Sequence, residues 1–201
     1  MGYDDSDRRD GPALSAPTAV KFLIAGGFGV GKTTMVAAVS EVEPLRTEEY
    51  LTVASVGIDD VSGVGDKDTT TVAMDFGRIT VSPELVVYLF GTPGQERFWF
   101  MWDDLVLGAL GAVVIADTRR LQTSFGSIDF FERRGIPFVV GVNCFDGFQD
   151  RTVPEVREAL DLEPHVPVLM GDFRQRSVSR DVLLALVDYL IDGPEPASRP
   201  S

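Results

Sequence analysis

Short apolar runs alternate along the chain with segments in which apolar residues recur at helical spacing. The apolar runs cover 19–26, 85–91, 109–117, 136–143 and 165–171. The helical segments include 32–42, 153–162 and 179–191. Continuous apolar strands separated by helices are typical of a parallel sheet with helices on both faces, because neither face of such a strand meets water. The pattern therefore predicts an α/β protein.

One pair of strands departs from this alternation. The β-branched segment 69–81 runs into the apolar run 85–91 across Ser82, Pro83 and Glu84. Three residues are too few for a crossover, so the two strands should pair as an antiparallel hairpin. We predict a three-layer α/β fold with a mixed six-stranded sheet, in which five strands are parallel and one antiparallel strand lies at the edge.

The size of the chain fits one domain. It has 201 residues, 44% of them hydrophobic, and we predict a domain over 19–192. Residues 1–18 and 193–201 are rich in Asp, Pro, Ser and Ala, so we expect them to be flexible tails. The stretch 44–70 has several glycines and aspartates, and a loop of that length in a compact domain is usually functional.

Charge and composition narrow the classes of partner. The chain has 18 basic and 31 acidic residues, giving a net charge of −13, which disfavours nucleic acid and anionic membrane surfaces. No segment is apolar enough for a membrane anchor, and we expect a soluble, cytoplasmic protein. One cysteine and one histidine are too few for a disulfide or for a zinc or haem site.

The first helical segment is preceded by a complete G-x-x-x-x-G-K-[ST] pattern, directly after an apolar strand. Glycines at these positions let backbone N–H groups turn toward an anion, while the lysine ammonium reaches the β- and γ-phosphates and the threonine hydroxyl binds Mg²⁺. This pattern predicts a P-loop NTPase fold. The predicted nucleotide-binding residues here are Gly26, Gly27, Phe28, Gly29, Val30, Gly31, Lys32, Thr33 and Thr34.

Downstream segments resemble the motifs of Ras-like small GTPases and occur in the same order. Residues 91–98 resemble the switch II segment D-x-x-G-Q-E, and 71–77 resemble the switch I threonine and second strand of Rab-like members. Residues 143–146 resemble the guanine-reading N-K-x-D motif, and 170–173 lie where the last base-contacting loop is expected. The T-P-G-Q form of switch II is most similar to the bacterial MglA-like branch.

The resemblance implies roles for particular residues. Gly94 would donate its N–H to the γ-phosphate, Gln95 would orient the attacking water, and Thr71 would join Thr33 in binding Mg²⁺. The catalytic group would thus be Lys32, Gly94 and Gln95. Base recognition would come from Asn143, Asp146, Gly171 and Asp172, since a carboxylate accepts hydrogen bonds that guanine can donate and adenine cannot.

Two positions depart from the family pattern. Gly91 stands where the family has an aspartate that supports Mg²⁺, and a nearby carboxylate such as Asp59, Asp60 or Asp75 would have to replace it. Cys144 replaces the lysine that covers the base. The candidates for an arginine finger are Arg78, Arg97, Arg119 and Arg120.

The favoured function is a GTP-binding molecular switch that hydrolyses GTP slowly to GDP, with switch I in 44–71 and switch II in 91–104. A GTPase-activating or effector protein would stimulate it, and the resemblance suggests one of the roadblock type. The aromatic run 98–102 would either bind that partner or pack on the sheet. The alternatives are a pseudo-GTPase scaffold and an ATP-binding P-loop ATPase or small kinase.

Overall fold

The computed structural model describes residues 16–43, 45–51, 70–147 and 149–193, with 45–51, 70–73, 96 and 97 described by their backbone alone. Most of the predicted switch I and of both predicted tails therefore lies outside the described residues. Asp59 and Asp60, two of the carboxylates considered above, lie outside them as well.

A mixed β-sheet forms the centre of the molecule and confirms the predicted α/β class. Its strands are β1 (Thr18–Ala25), β2 (Leu45–Leu51), β3 (Thr70–Ser82), β4 (Leu85–Gly91), β5 (Gly111–Ala116), β6 (Phe138–Asn143) and β7 (Val168–Gly171). The strand order is β2-β3-β4-β1-β5-β6-β7. The six predicted strands are all present.

The antiparallel part of the sheet differs from the prediction in one respect. β3 pairs antiparallel with β4, as the short connection required, but β2 pairs antiparallel with the other side of β3. The sheet thus gains a seventh strand, and β3 is not its edge. The sequence of β2, LRTEEYL, is too polar to read as a buried strand, which is why the apolar pattern did not reveal it.

Helices cover both faces of the sheet. They are α1 (Lys32–Val39), α2 (Trp102–Leu105), α3 (Phe125–Arg134), α4 (Val153–Ala159) and α5 (Arg176–Asp192). Side chains of α1 and α5 share one core with Phe22 and Ile24 of β1. Side chains of α3 and α4 share the other core with Leu23 and Ala25, so alternate residues of β1 serve opposite faces.

Trp99 and Trp102 of the aromatic run 98–102 pack into the core shared with α3 and α4. Trp102 is 1% exposed and packs against Phe130 and Phe131, and its indole N–H donates to the Pro93 carbonyl at 3.2 Å. Phe98 is buried too, while Phe100 is 62% exposed. The indole hydrogen bond ties the switch II segment to this core.

The parallel strands bring the chemically interesting residues to one edge of the sheet. β1, β4, β5, β6 and β7 run in the same direction, so their carboxyl ends and the loops that follow lie together. Open α/β sheets bind their ligands outside these carboxyl ends. The P-loop follows β1, the central strand, and occupies the middle of this edge.

Candidate functional site

The loop between β1 and α1 has a backbone that only glycine adopts readily. Gly26, Gly29 and Gly31 have φ values of 132°, 75° and 109°. Helix α1 begins immediately afterwards at Lys32, and no side chain caps its first turn. The free N–H groups of that turn and the positive end of the helix together form an anion site of the kind that binds phosphate.

Lys32 lies over this loop. Its ammonium donates to the carbonyl oxygens of Gly26 at 2.9 Å and Gly27 at 2.7 Å. Burial lowers the pKa of Lys32 to about 8, although the nearby Asp75 carboxylate acts in the opposite direction. A partly buried cation whose hydrogen bonds go to neutral carbonyls has an incomplete charge balance, which an anionic phosphate would complete.

Gly94 approaches the same lysine from the switch II segment. A Cβ at Gly94 would lie 2.5 Å from Lys32 Nζ and 2.9 Å from the Gly27 carbonyl, so no side chain fits there. Gln95 follows directly, partly exposed, and its carbonyl accepts a hydrogen bond from the Phe98 N–H at 3.0 Å. The structure therefore brings Gly94 and Lys32 together at the P-loop, and Gln95 follows Gly94 in the chain.

The first turn of α1 also carries oxygen donors. The Thr33 hydroxyl donates to Asp75 Oδ2 on β3 at 2.6 Å. Hydroxyl and carboxylate oxygens are the donors that Mg²⁺ prefers, and Mg²⁺ in such sites takes its other ligands from phosphates and water. Among the described side chains no group of three or more His, Cys, Asp and Glu could enclose a metal. The donor set thus fits a magnesium ion that arrives with a nucleotide.

Asn143, at the end of β6, links the P-loop to the loop after β7. It is 6% exposed, its amide donates to the Val30 carbonyl at 2.9 Å, and its carbonyl accepts from the Phe173 N–H at 3.3 Å. A Cβ at Gly31 would lie 2.4 Å from the Asn143 amide nitrogen. Asn143 is thereby a brace for the P-loop.

Replacing Asn143 by alanine should lower the free energy of unfolding by about 2 kcal/mol, because it leaves a buried carbonyl and a buried N–H without their partner. Urea denaturation of the nucleotide-free protein measures this change. Gln149→Ala, which removes an exposed amide, is the matched control. A loss no larger than that of the control would contradict the bracing role.

A pocket opens beside the P-loop, at the carboxyl ends of β5 and β6. It has a volume of about 320 Å³ and is lined by Asp117, Thr118, Arg119, Asn143, Phe145 and Asp146. The Arg119 guanidinium lies over the Phe145 ring at 4.3 Å. The flat Phe145 ring and the flat Arg119 guanidinium, together with the polar side chains that line the pocket, suit a planar heterocyclic base.

Asp117 fixes the geometry of this pocket. Its carboxylate is 1% exposed and accepts from Arg119 Nε at 2.9 Å and Arg119 Nη2 at 2.8 Å. The Arg119 guanidinium holds the pKa of Asp117 below its usual value despite burial. From sequence, Arg119 was predicted only as an arginine-finger candidate and Asp117 was not predicted, although an aspartate directly after a buried parallel strand is a signal for this edge.

Asp146 lies at the rim of the pocket in the left-handed backbone region, with φ 54°. Its side chain is 85% exposed, and Oδ1 accepts from Arg174 Nη1 at 2.8 Å. Arg174 is also bound by Asp172, through Nε and Nη2 at 2.9 and 2.7 Å. Of the predicted base-reading residues, Asn143 and Asp146 thus line this pocket. Asp172 is connected to Asp146 through Arg174, a residue that the sequence patterns did not single out.

The other predicted site residues lie on β7, on α1, on β3 and in the segment after β5. Gly171 ends β7, and its carbonyl accepts from the Cys144 N–H at 2.8 Å. Thr34 is exposed on α1. The Thr71 backbone pairs with Tyr50 of β2, but its side chain lies outside the described part of the chain, as does that of Arg97. Arg120 donates to the Phe28 carbonyl at 3.4 Å, which places its guanidinium beside the P-loop.

Comparison with known proteins finds a family model that matches most of the chain. Residues 24–193 match the family model described as "Conserved hypothetical ATP binding protein". The chain is 32% identical to an uncharacterized protein of Methanocaldococcus jannaschii over 129 residues, which are 63% of this chain and 71% of that protein.

Solved structures share the fold. The cytosolic domain of the T. maritima FeoB iron transporter in its GDP form I aligns with a TM-score of 0.62 at 16% identity, covering 89% of this chain and 66% of that chain. The G domain of the same transporter aligns with a TM-score of 0.56 at 17% identity, covering 87% of this chain and 98% of that chain.

Within the part of the chain that the structure describes, no helix is long and apolar enough to cross a bilayer.

Proposed function

This chain belongs to the family described as conserved hypothetical ATP binding proteins, and we propose that it is a GTP-binding molecular switch that hydrolyses GTP slowly to GDP and phosphate. It is a nucleotide-binding P-loop protein with the fold of a GTPase G domain. The identity of the base as guanine, the hydrolysis of GTP and the switching between two states are proposed.

The contact between switch II and the P-loop lysine is the observation on which the proposal rests. Gly94 leaves no room for a side chain beside Lys32 Nζ, which supports the proposal that the backbone of 94–95 would meet the terminal phosphate that Lys32 would bind. Loss of that phosphate on hydrolysis would remove a partner from both the ammonium and the Gly94 N–H. The residues between Gly94 and Trp102 would then be free to change their position relative to the buried Trp102.

Guanine is the proposed base because of the carboxylate at the pocket rim. Asp146 accepts hydrogen bonds, and guanine offers two adjacent donors at N1 and N2, whereas adenine offers an acceptor at N1. Arg119 above Phe145 is proposed to form one wall for the base, which compensates for the lysine that Cys144 replaces. Asn143 holds the P-loop at the same time as it borders this pocket.

Hydrolysis is proposed to use Gln95 to orient water and Lys32 with the P-loop N–H groups to stabilise charge on the phosphate oxygens. Thr33, together with Thr71, would hold Mg²⁺, which neutralises the phosphates when bound. Two of the candidate arginines are paired with Asp117: Arg119 and Arg120, which also donates to the Phe28 carbonyl. A stimulating partner, of the roadblock type by resemblance, is therefore proposed to complete the site in the cytoplasm.

Two observations favour the alternative, an ATP-binding P-loop ATPase. The family description names ATP, and Asp146 is already paired with Arg174. An Asp146 that stayed bound to Arg174 would read guanine less strictly. A pseudo-GTPase scaffold is the remaining alternative, and the presence of Gln95 directly after Gly94 argues against it.

Titration calorimetry of the nucleotide-free protein with GTP, GDP and ATP in Mg²⁺, followed by single-turnover phosphate release, tests the proposal. We expect tighter binding of GTP and GDP than of ATP. Gln95→Leu should leave GTP affinity within about threefold and slow phosphate release by about 100-fold, because it removes the group that orients water. Gln149→Leu, at an exposed glutamine away from the phosphates, should change neither. An ATP preference would favour the ATPase, and release that Gln95→Leu leaves unchanged would contradict the assigned role.

A further inference from the structure

We propose that Asp75 is the carboxylate that anchors the Mg²⁺ of a bound nucleotide, and that this function has moved from β4 to the neighbouring strand β3. The inference rests on the proposed nucleotide binding but not on the identity of the base. It assigns a metal-holding role to a residue that lies outside the P-loop and outside switch II.

The first support is the contact between Asp75 and the P-loop helix. Asp75 Oδ2 accepts the hydrogen bond of the Thr33 hydroxyl at 2.6 Å. Thr33 is the P-loop residue whose hydroxyl is expected to bind Mg²⁺. A metal ion bound at Thr33 would therefore lie next to the Asp75 carboxylate, and a charged oxygen would already be in place to hold the ion or one of its waters.

The second support is the space beside Gly91. A Cβ at Gly91 would lie 2.9 Å from Asp75 Cβ and 3.1 Å from Asp75 Oδ2. The Asp75 side chain thus occupies the volume that a side chain at Gly91 would need. A carboxylate can be accommodated at one of these two positions but not at both, and this chain has it at 75.

Strand pairing explains why the two positions are interchangeable. In the antiparallel β3–β4 ladder Phe76 is paired with Phe90, and one further step of the same register brings Asp75 opposite Gly91. Directly opposed residues of an antiparallel pair point to the same face and lie about 4.5–5.5 Å apart. A carboxylate moved across the ladder therefore stays on the face that carries Thr33.

The physical need for such a group follows from the chemistry of the ion. Mg²⁺ is held in nucleotide sites by few protein oxygens, and the carboxylates around its ligands and waters strongly affect its affinity. With glycine at 91, Asp75 is the described carboxylate that contacts Thr33. Without it, the ion would depend on the Thr33 and Thr71 hydroxyls, the phosphates and water alone.

The test is the Mg²⁺ dependence of nucleotide release. Dissociation of the fluorescent mant-GDP and mant-ADP is followed in excess Mg²⁺ and in excess EDTA, and the ratio of the two rates reports how strongly the metal retains the nucleotide. The variants are Asp75→Asn, which keeps the shape and removes the charge, and the transposition Asp75→Gly/Gly91→Asp, which moves the carboxylate back to β4. Asp188→Asn, an exposed aspartate of α5, is the control for the loss of one charge.

In the wild type and in Asp188→Asn we expect Mg²⁺ to slow release markedly. Asp75→Asn should reduce the ratio by about 10- to 100-fold, with the rate in EDTA unchanged within about threefold, and the transposition should restore most of it. A ratio unaffected by Asp75→Asn would overturn the inference, and so would a folded transposed protein with no recovery. If the wild type retains neither probe, the proposed function fails instead. Because the ratio is internal to each protein, Asp75→Asn decides the question even if the double variant does not fold.

Discussion

Replacing Lys32 by alanine is expected to weaken GTP binding by at least about 100-fold. The ammonium is largely buried, lies over Gly26 and Gly27, and faces the N–H groups that begin α1. In the complex it would make charge-assisted hydrogen bonds to the β- and γ-phosphates, each worth about 1.5–3 kcal/mol. Loss of two such bonds corresponds to a factor of at least 100 in the dissociation constant. Titration calorimetry with GTP in Mg²⁺ measures it directly.

Lys21→Ala is the matched control for this prediction. Lys21 lies on β1, where its ammonium donates to the Leu107 carbonyl at 3.0 Å and faces the Phe90 ring. Its removal deletes the same charge from the same strand–helix unit without touching the P-loop, and GTP affinity should stay within about threefold. The Lys32→Ala protein should also remain folded, since removal of a buried cation relieves a desolvation cost. Wild-type affinity in Lys32→Ala would contradict the assignment of the P-loop.

The fold could be predicted from the sequence because its strands are apolar on both faces and its one hairpin has a three-residue connection. These are local signals, and both were confirmed. The polar strand β2 could not be found in this way, because LRTEEYL lacks the apolar pattern of a buried strand and is recognised only through its pairing with β3. The prediction of an edge position for β3 was wrong for that reason.

The same distinction between local sequence signals and long-range contacts applies to the candidate site. The P-loop is contiguous in sequence, so its pattern alone predicts a candidate anion site. The partnership of Asp75 with Thr33 joins residues 42 positions apart and depends on the register of β3 against β4, which composition does not determine. Arg119 above Phe145 and Arg174 on Asp146 are likewise contacts between different loops. Such contacts follow from the meeting of strand ends and not from any single motif.

The Arg174 contact bears directly on the base. Asp146 has Arg174 as an ion-pair partner, and a base that binds through Asp146 must share or replace it. The pair is exposed on both sides, so its contribution to stability is at most about 1 kcal/mol. Guanine, with two donors aimed at one carboxylate, can therefore compete with it. This weak pair is compatible with base reading, and its removal provides a control for substitutions of Asp146.

Asp146→Asn is expected to lower GTP affinity by about 100-fold and to raise the affinity for xanthosine triphosphate. The amide retains one acceptor but presents a donor where the second acceptor was, so it opposes the guanine amino group and complements the C2 carbonyl of xanthine. The loss corresponds to about 2.7 kcal/mol, in the range for hydrogen bonds to a charged group. Competition titrations with GTP, xanthosine triphosphate and ATP measure the three affinities on each protein.

Arg174→Ala separates base reading from disruption of the ion pair, because it breaks the same 2.8 Å contact and leaves the carboxylate in place. GTP affinity should then change by less than about fivefold, with no gain for xanthosine triphosphate. If Asp146→Asn and Arg174→Ala had the same modest effect, Asp146 would serve only to order the rim of the pocket. If ATP bound the wild type more tightly than GTP and neither variant altered it, the base would be read by the Arg119–Phe145 wall and by backbone groups. The family's description as ATP binding would then hold for this chain as well.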